Sequence, residues 1–151
     1  MTRRISVRGI VLHKGKLLCV RLGPSPSEGR VGPSDYWCLP GGGLEEGESL
    51  HTGLEREMIE ETGVKPAIGQ LMYVQQFSIG DKEYLDFFFH VANHQDYVNI
   101  DLSNTTHGEI ELAEISFIDP ASSHVMPEFL TQEDLRQFVE SIQPTRVISR
   151  L

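Results

Sequence analysis

Apolar and polar residues alternate along several stretches of the chain, and this alternation predicts a largely β-stranded framework. Residues 5–12 and 16–21 are predicted as two strands joined by a turn at Lys14 and Gly15. Further strands are predicted at residues 36–39, 70–79, 83–92 and 109–118. Residues 23–35, rich in Gly and Pro, and residues 93–107, rich in polar residues, are predicted as loops.

The segment 83–92 alternates most clearly, and its two faces differ in character. One face is wholly apolar and is expected to lie in the core; it consists of Leu85, Phe87, Phe89 and Val91. The other mixes aromatic and polar groups; it consists of Tyr84, Asp86, Phe88 and His90. Aromatic walls with a few polar groups are typical of ligand pockets, so we expect Tyr84, Asp86 and Phe88 to bind substrate. Core packing is the alternative for the aromatic members.

Two segments have helical spacing instead. In the first, Leu50, Leu54 and Met58 recur every fourth residue, after Glu48 and Ser49 at a suitable N-terminus. Gly63 suits the left-handed residue at which such a helix ends.

A second helix is predicted to begin at Thr131, with Asp134 near the capping-box position. Its inward residues would be Leu135, Phe138, Val139 and Ile142. The tail, 144–151, is expected to pair either as an edge strand or with a second subunit. The order of elements indicates the α/β class.

Length and charge limit the possible functions. With 151 residues, the chain is expected to form a single domain spanning 1–151. Its net charge of −9 argues against binding of long nucleic acid. Neither a signal peptide nor a membrane-spanning stretch is evident, so we expect a cytoplasmic protein without a membrane partner.

The first helix carries the candidate chemistry. Glu57, Glu60 and Glu61 stand at i, i+3 and i+4, so three carboxylates share one face. Like charges so placed are unfavourable in water, but a hard divalent cation such as Mg²⁺ would stabilise them. Gly53 lies one turn earlier on that face, and its missing side chain is interpreted as room for metal and substrate. The glycine run at 41–43 is interpreted as a tight loop that brings a backbone carbonyl to a ligand.

These residues resemble the Nudix box. Gly42, Glu48, the Arg56-Glu57 pair, the Glu60-Glu61 pair and Gly63 fill its fixed positions at the right spacing. The resemblance implies an α/β/α sandwich: a mixed sheet with the loop–helix–loop of the box on one side and a C-terminal helix. It also implies hydrolysis of the pyrophosphate in a nucleoside diphosphate linked to another group X. That substrate would be a small molecule such as a nucleoside triphosphate, ADP-ribose or a nucleotide sugar.

Residue roles follow from the resemblance. Mg²⁺, or Mn²⁺ in its place, would be held by the carbonyl of Gly41 and by Glu57, Glu60 and Glu61. Glu111 would add a further ligand, with Glu109 as the alternative. Arg56 would pair with Glu48 and fix the loop against the helix. The water's proton would go to Glu57, to Glu61 or to a carboxylate of the 109–114 segment.

Several alternatives stay open. Arg8 and Arg21 could bind phosphate from strand ends, and a surface salt bridge is as good an interpretation for each. A catalytically silent module that binds a nucleotide sugar would share the fold, although such modules usually lose carboxylates that are all present here. Residues 76–81 carry neither the Pro nor the Tyr that marks some Nudix subfamilies, so the substrate stays open. A homodimer is possible.

Overall fold

The computed structural model describes residues 2–26, 29–102 and 112–151. Its elements, in chain order, are strands β1 (Thr2–Ile10), β2 (Leu12–His13), β3 (Lys16–Leu22), β4 (Trp37–Cys38) and β5 (Gly41–Gly43), helix α1 (Leu50–Thr62), strands β6 (Ile68–Ile79), β7 (Lys82–Val91), β8 (Leu112–Ile118) and β9 (Val125–Met126), helix α2 (Leu135–Glu140) and strand β10 (Arg146–Arg150). Short 3₁₀ turns cover His94–Tyr97 and Glu128–Thr131. The predicted α/β class is confirmed, and no helix in the described ranges is long and apolar enough to cross a membrane.

Two mixed sheets are present in the described part of the chain, where one was expected. The first has the order β10-β6-β7-β1-β5 and combines parallel β10–β6 and β7–β1 pairs with antiparallel β6–β7 and β1–β5 pairs. In the second, β3 pairs with β2, β4 and β8, and β9 pairs with β4.

The apolar residues form two clusters on opposite faces of the first sheet. Toward α1 lie Val7, Leu54, Met58, Phe89 and Val91. On the other face, Tyr73 and Phe88 meet Phe129 and Phe138, and the Phe88 and Phe129 rings stand edge to face at 5.3 Å. Strand β7 therefore packs on both faces, and Phe88, at 1% exposure, is a core residue.

Helix α1 agrees with its sequence signals. Ser49 caps it by accepting a hydrogen bond from the backbone N–H of Thr52, and Gly63 ends it at φ 77°. Leu54 and Met58 are fully buried, as their spacing predicts. Gly53 has a different role from the one expected, because a Cβ there would lie 2.2 Å from Leu44 Cδ2. The missing side chain makes room for Leu44, which packs against the helix-side cluster, rather than for a ligand.

The glycine run at 41–43 forms strand β5 rather than the expected tight loop. It pairs antiparallel with β1, with Arg8 opposite Gly41. Gly41 has φ 139°, and a Cβ on it would fall 2.0 Å from the carbonyl oxygen of Val7. Glycine is thus required at this position so that the two backbones can approach.

The C-terminal helix is shorter than its pattern predicts. Thr131 belongs to a 3₁₀ turn, and the N-cap is Asp134, which accepts from the N–H of Gln137. Leu135 and Phe138 are buried as expected. Val139, at 36% exposure, and Ile142, fully exposed and beyond the helix end, do not face inward. A helix of 6 residues has too few turns to bury a longer stripe.

The tail forms an edge strand within the chain. Residues Arg146–Arg150 pair in parallel with β6, from Tyr73 to Phe77. Of the two expectations for the tail, the edge strand is the one that the structure contains.

Candidate active site

The box helix is joined to the preceding loop through one guanidinium. Arg56 donates from Nε and Nη2 to the two carboxylate oxygens of Glu48, at 2.8 and 2.9 Å, and from Nη2 to the Gly43 carbonyl at 3.2 Å. This is the predicted Arg56–Glu48 pair, in the two-pronged geometry that a planar guanidinium allows. Arg56 Nη1 also donates to Glu57 at 3.0 Å and to Glu60 at 3.2 Å.

Glu57 and Glu61 meet the glycine strand. Glu61, 6% exposed, accepts a hydrogen bond from the N–H of Gly41 at 3.1 Å. A Cβ on Gly42 would lie 2.7 Å from the carboxylate carbon of Glu57, so glycine leaves room for that carboxylate beside the strand. The Gly41 carbonyl accepts from Arg8 Nη1 at 3.1 Å.

Two groups in this network have shifted pKa values. The hydrogen bond from Arg56, with a second from the N–H of Glu45, lowers the pKa of Glu48 to about 2. Burial raises the pKa of Glu57, and the hydrogen bond from Arg56 only partly opposes that rise. A cation beside Glu57 would therefore stabilise its charged form.

The donor set fits a hard divalent metal ion. Carboxylate oxygens of Glu57, Glu60 and Glu61 and the Gly41 carbonyl are all ligands that Mg²⁺ prefers. Among the residues that the structure describes, no three acidic, histidine or cysteine side chains already converge as a ligand set. Glu57 and Glu60 instead accept hydrogen bonds from Arg56. The alternatives for the additional ligand, Glu111 and Glu109, lie outside the described residues.

A cavity of about 450 Å³ opens over these carboxylates. Glu57, Glu61 and the glycine strand line one side of it, and Arg4, Arg8 and Arg30 also line it. Guanidinium groups are suited to bind phosphate oxygens. Carboxylates suited to a metal and guanidinium groups suited to phosphate therefore face one space.

A second cavity, of about 410 Å³, shares Arg8 and Leu22 with the first. It lies between the two sheets. Asp86, Phe88 and Gln75 come from the first sheet, and the remaining lining is mostly apolar or aromatic: Tyr36, Cys38, Leu39, Phe77, Ile79, His124, Met126 and Pro127. Cavities of this size and composition are typical of small-molecule sites.

The structure brings together some of the predicted substrate-binding residues and separates others. Arg8, Asp86 and Phe88 all line the second cavity. Tyr84 instead stacks on Phe77, with ring centroids 4.8 Å apart, and is absent from the lining of that cavity. Arg21 donates to the Ser34 carbonyl and to Glu114, and lies over the Trp37 ring at 5.7 Å, outside both cavities.

Sequence reasoning missed three residues of these cavities. Arg4 could have been found, because strand periodicity places it on the same face as Arg8. Gln75 could also have been found, as a lone polar residue between Tyr73 and Phe77 on one face of β6. Arg30 follows no such pattern, since it comes from the 23–35 loop.

Comparison with known proteins agrees with this geometry. The family model of the NUDIX domain matches residues 2–140. A MutT-like protein of Streptomyces ambofaciens is 37% identical over 68 residues, which cover 44% of this chain and 38% of that protein. An RNA pyrophosphohydrolase of Coxiella burnetii is 40% identical over 62 residues, covering 41% of this chain and 27% of that protein. The matches thus span well under half of the curated relatives' length.

A solved structure shows the same fold. The MutT protein from Methanosarcina mazei Go1 superposes with a TM-score of 0.69, at 24% identity, over 94% of this chain and 97% of that one. The Nudix fold implied by the resemblance is therefore confirmed.

Proposed function

Because the chain belongs to the Nudix family, we propose that it is a Mg²⁺-dependent pyrophosphohydrolase that cleaves a nucleoside diphosphate linked to another group X. The observation that carries this proposal is the 450 Å³ cavity, in which the carboxylates of Glu57 and Glu61 share one space with Arg4, Arg8 and Arg30. Such a space suits a diphosphate bound together with metal. The adjoining 410 Å³ cavity would hold the nucleoside or X.

We propose separate roles for these residues in metal binding, substrate binding and proton transfer. Glu57, Glu60, Glu61 and the Gly41 carbonyl would hold Mg²⁺, which when bound lowers the pKa of a water and offsets charge on phosphate oxygens. Arg4, Arg8 and Arg30 would bind and orient the diphosphate. Glu57 or Glu61 would take the proton of the attacking water. Arg56 and Glu48 would position the helix against the glycine strand, without touching substrate.

We propose that residues 1–151 act as one domain, in the cytoplasm, on a small nucleotide derivative. The net charge of −9 supports a small substrate over long nucleic acid, because bound metal reverses the local sign only at the site itself.

A nucleotide panel with product identification tests the proposal. Nucleoside triphosphates, ADP-ribose and nucleotide sugars are incubated with the protein and Mg²⁺, and both products are identified. We expect at least one member to be cleaved within its pyrophosphate, chelator to abolish that activity, and Mg²⁺ or Mn²⁺ to restore it. Undiminished turnover in a metal-free preparation would refute the metal-dependent mechanism. Metal-dependent binding of a nucleotide sugar without any turnover would identify the chain as a silent binding module instead.

A further inference from the structure

One lining residue of the 410 Å³ cavity, Gln75, has a buried amide oxygen without a partner in the described part of the chain. Gln75 is 5% exposed, and among the described residues its Oε1 has no hydrogen-bond partner. A buried amide oxygen left unpaired is costly, and native proteins seldom tolerate one without a function. Because Gln75 also lines the cavity, the bonding capacity of its amide lies where a ligand would bind.

Asp86 stands directly beside this amide. Gln75 and Asp86 are paired across β6 and β7, and Ser6 of β1 is next in the same row. The Ser6 hydroxyl donates to Asp86 Oδ1, which fixes the carboxylate against the sheet. The second carboxylate oxygen and the Gln75 amide are thus adjacent polar groups among apolar walls.

We propose that Gln75 and Asp86 recognise the base of the substrate and that this base is guanine. The inference rests on the proposed function, since it assigns the nucleoside to this cavity. A carboxylate only accepts hydrogen bonds, whereas an amide can turn either its oxygen or its NH₂ toward a ligand. The pair therefore matches a base edge that has N–H donors next to a carbonyl.

Guanine alone among the four common bases satisfies the pair fully. Its N1–H and N2–H₂ are parallel donors for the two oxygens of Asp86. Its O6 accepts from the Gln75 NH₂ once the amide is turned so that this group takes the place of the unpaired oxygen. Adenine and cytosine each offer one amino donor beside a ring acceptor, so one carboxylate oxygen goes unused. Uracil has a single N–H, and its second carbonyl would face the carboxylate, which is repulsive.

The distances along the sheet suit a nucleotide. The row Gln75–Asp86–Ser6 continues to Gly43 of β5, beside the carboxylate cavity. Strands lie about 4.8 Å apart, so the span from β6 to β5 is roughly 14 Å. An extended nucleoside diphosphate bridges such a span, with its base at Gln75 and Asp86 and its phosphates at Arg8 and the glycine strand.

Binding of four nucleoside diphosphates tests this without requiring turnover. Dissociation constants of GDP, IDP, ADP and UDP are measured by calorimetry in Mg²⁺. IDP differs from GDP only by lacking the N2 amino group, so we expect it to bind about tenfold more weakly. UDP should bind about tenfold to a hundredfold more weakly than GDP.

Two variants separate the roles of the pair. Asp86→Asn replaces one acceptor with a donor, so the GDP/IDP preference should fall to near one. Gln75→Leu removes the group that faces O6, so GDP and IDP should weaken together while their ratio is kept. Gln76→Leu is the control for Gln75, because Gln76 lies on the other face of β6 and donates to Glu83. Asp81→Asn, in the exposed β6–β7 turn, is the control for Asp86.

Each other outcome overturns the inference. Four diphosphates that bind within twofold of one another, or a pyrimidine that binds most tightly, would exclude guanine recognition. A GDP/IDP ratio unchanged in Asp86→Asn would remove Asp86 from base recognition. If none of the four bound, the cavity would not be a nucleoside site. The hydrolysis panel decides the pyrophosphohydrolase proposal independently in each case.

Discussion

The proposed phosphate end of the cleft, at the 450 Å³ cavity, and its proposed nucleoside end, at the 410 Å³ cavity, are built in different ways. At the phosphate end, the glycine strand, Glu48, Arg56 and the three helix carboxylates come from one continuous stretch, and their contacts span at most about twenty residues. At the nucleoside end, the cavity lining comes from segments as far apart as Arg8, Tyr36, Asp86 and Met126. The carboxylate part of the first end is therefore encoded locally, although Arg4, Arg8 and Arg30 come from outside that stretch. The second end exists only after both sheets have formed.

This difference determines whether the role of a residue can be deduced from its position in the sequence. At the phosphate end, the spacing of the carboxylates along the helix indicates their role, because helix geometry fixes which side chains lie on one face. A residue at the nucleoside end can belong to the core and also line the cavity, as Phe88 does at 1% exposure. The predictions below test this contrast.

The largest effect is expected at the phosphate end. Glu57→Gln or Glu61→Gln keeps the side-chain shape but removes a charge needed for metal, so kcat should fall by about 10²–10⁴. After Glu61→Gln the side-chain oxygen can still accept from the Gly41 N–H, so thermal unfolding should change little. The control is Glu55→Gln, on the same helix, where the side chain is 44% exposed and lies 4.0 Å from Lys65. Wild-type kcat in both site variants would contradict the assignment.

The next effect separates core from ligand contacts at the nucleoside end. Phe88→Ala should lower the free energy of unfolding by about 3–5 kcal/mol, because it empties a fully buried site between Tyr73 and Phe129. Ile79→Ala, at a residue that lines the same cavity but is 65% exposed, should raise KM with little loss of stability. Both are measured by urea unfolding and steady-state kinetics. Equal stability losses would mean that the cavity has no separate ligand-facing wall.

Local periodicity was enough to predict most of the framework. The bounds of β3, β6, β7 and α1 agree with the expected ones to within two residues, and the carboxylate face of α1 follows from spacing alone. Predictions from the sequence pattern were wrong where tertiary packing determines the position of a side chain. Gly53 accommodates Leu44, Tyr84 stacks on Phe77, and Ile142 stays exposed beyond a short helix. The pairing of Gln75 with Asp86 depends on strand register between β6 and β7, which no local signal specifies.

A smaller effect is expected from Arg56→Lys. Lysine keeps the charge but cannot hold both oxygens of Glu48 and the Gly43 carbonyl together. We expect a loss of about 1–3 kcal/mol in the free energy of unfolding and weaker metal binding, measured by thermal unfolding and Mg²⁺ titration. Arg136→Lys is the matched control, because its pair with Glu140 is exposed and contributes little. If Arg56→Lys behaved like this control, the pairing of Arg56 with Glu48 and the Gly43 carbonyl would not stabilise the protein.

The smallest effect is a pH dependence of the free energy of unfolding, which arises at the same Arg56–Glu48 pair. The folded protein lowers the pKa of Glu48 from its ordinary 4.5 to about 2, because Arg56 and the Glu45 N–H bind the charged form. A lowered folded-state pKa adds stability that is fully present above pH 4.5 and is lost as the pH falls toward 2. Urea unfolding of the wild type and of Glu48→Gln, stepped from pH 7 downward, measures this contribution as a difference. We expect a constant difference at neutral pH that shrinks once the pH drops below about 4.5. A difference that stayed unchanged across the acid range would show that the Arg56–Glu48 pair stabilises the protein through packing and not through the charge of Glu48. The phosphate end would then resemble the nucleoside end, where packing sets the stability.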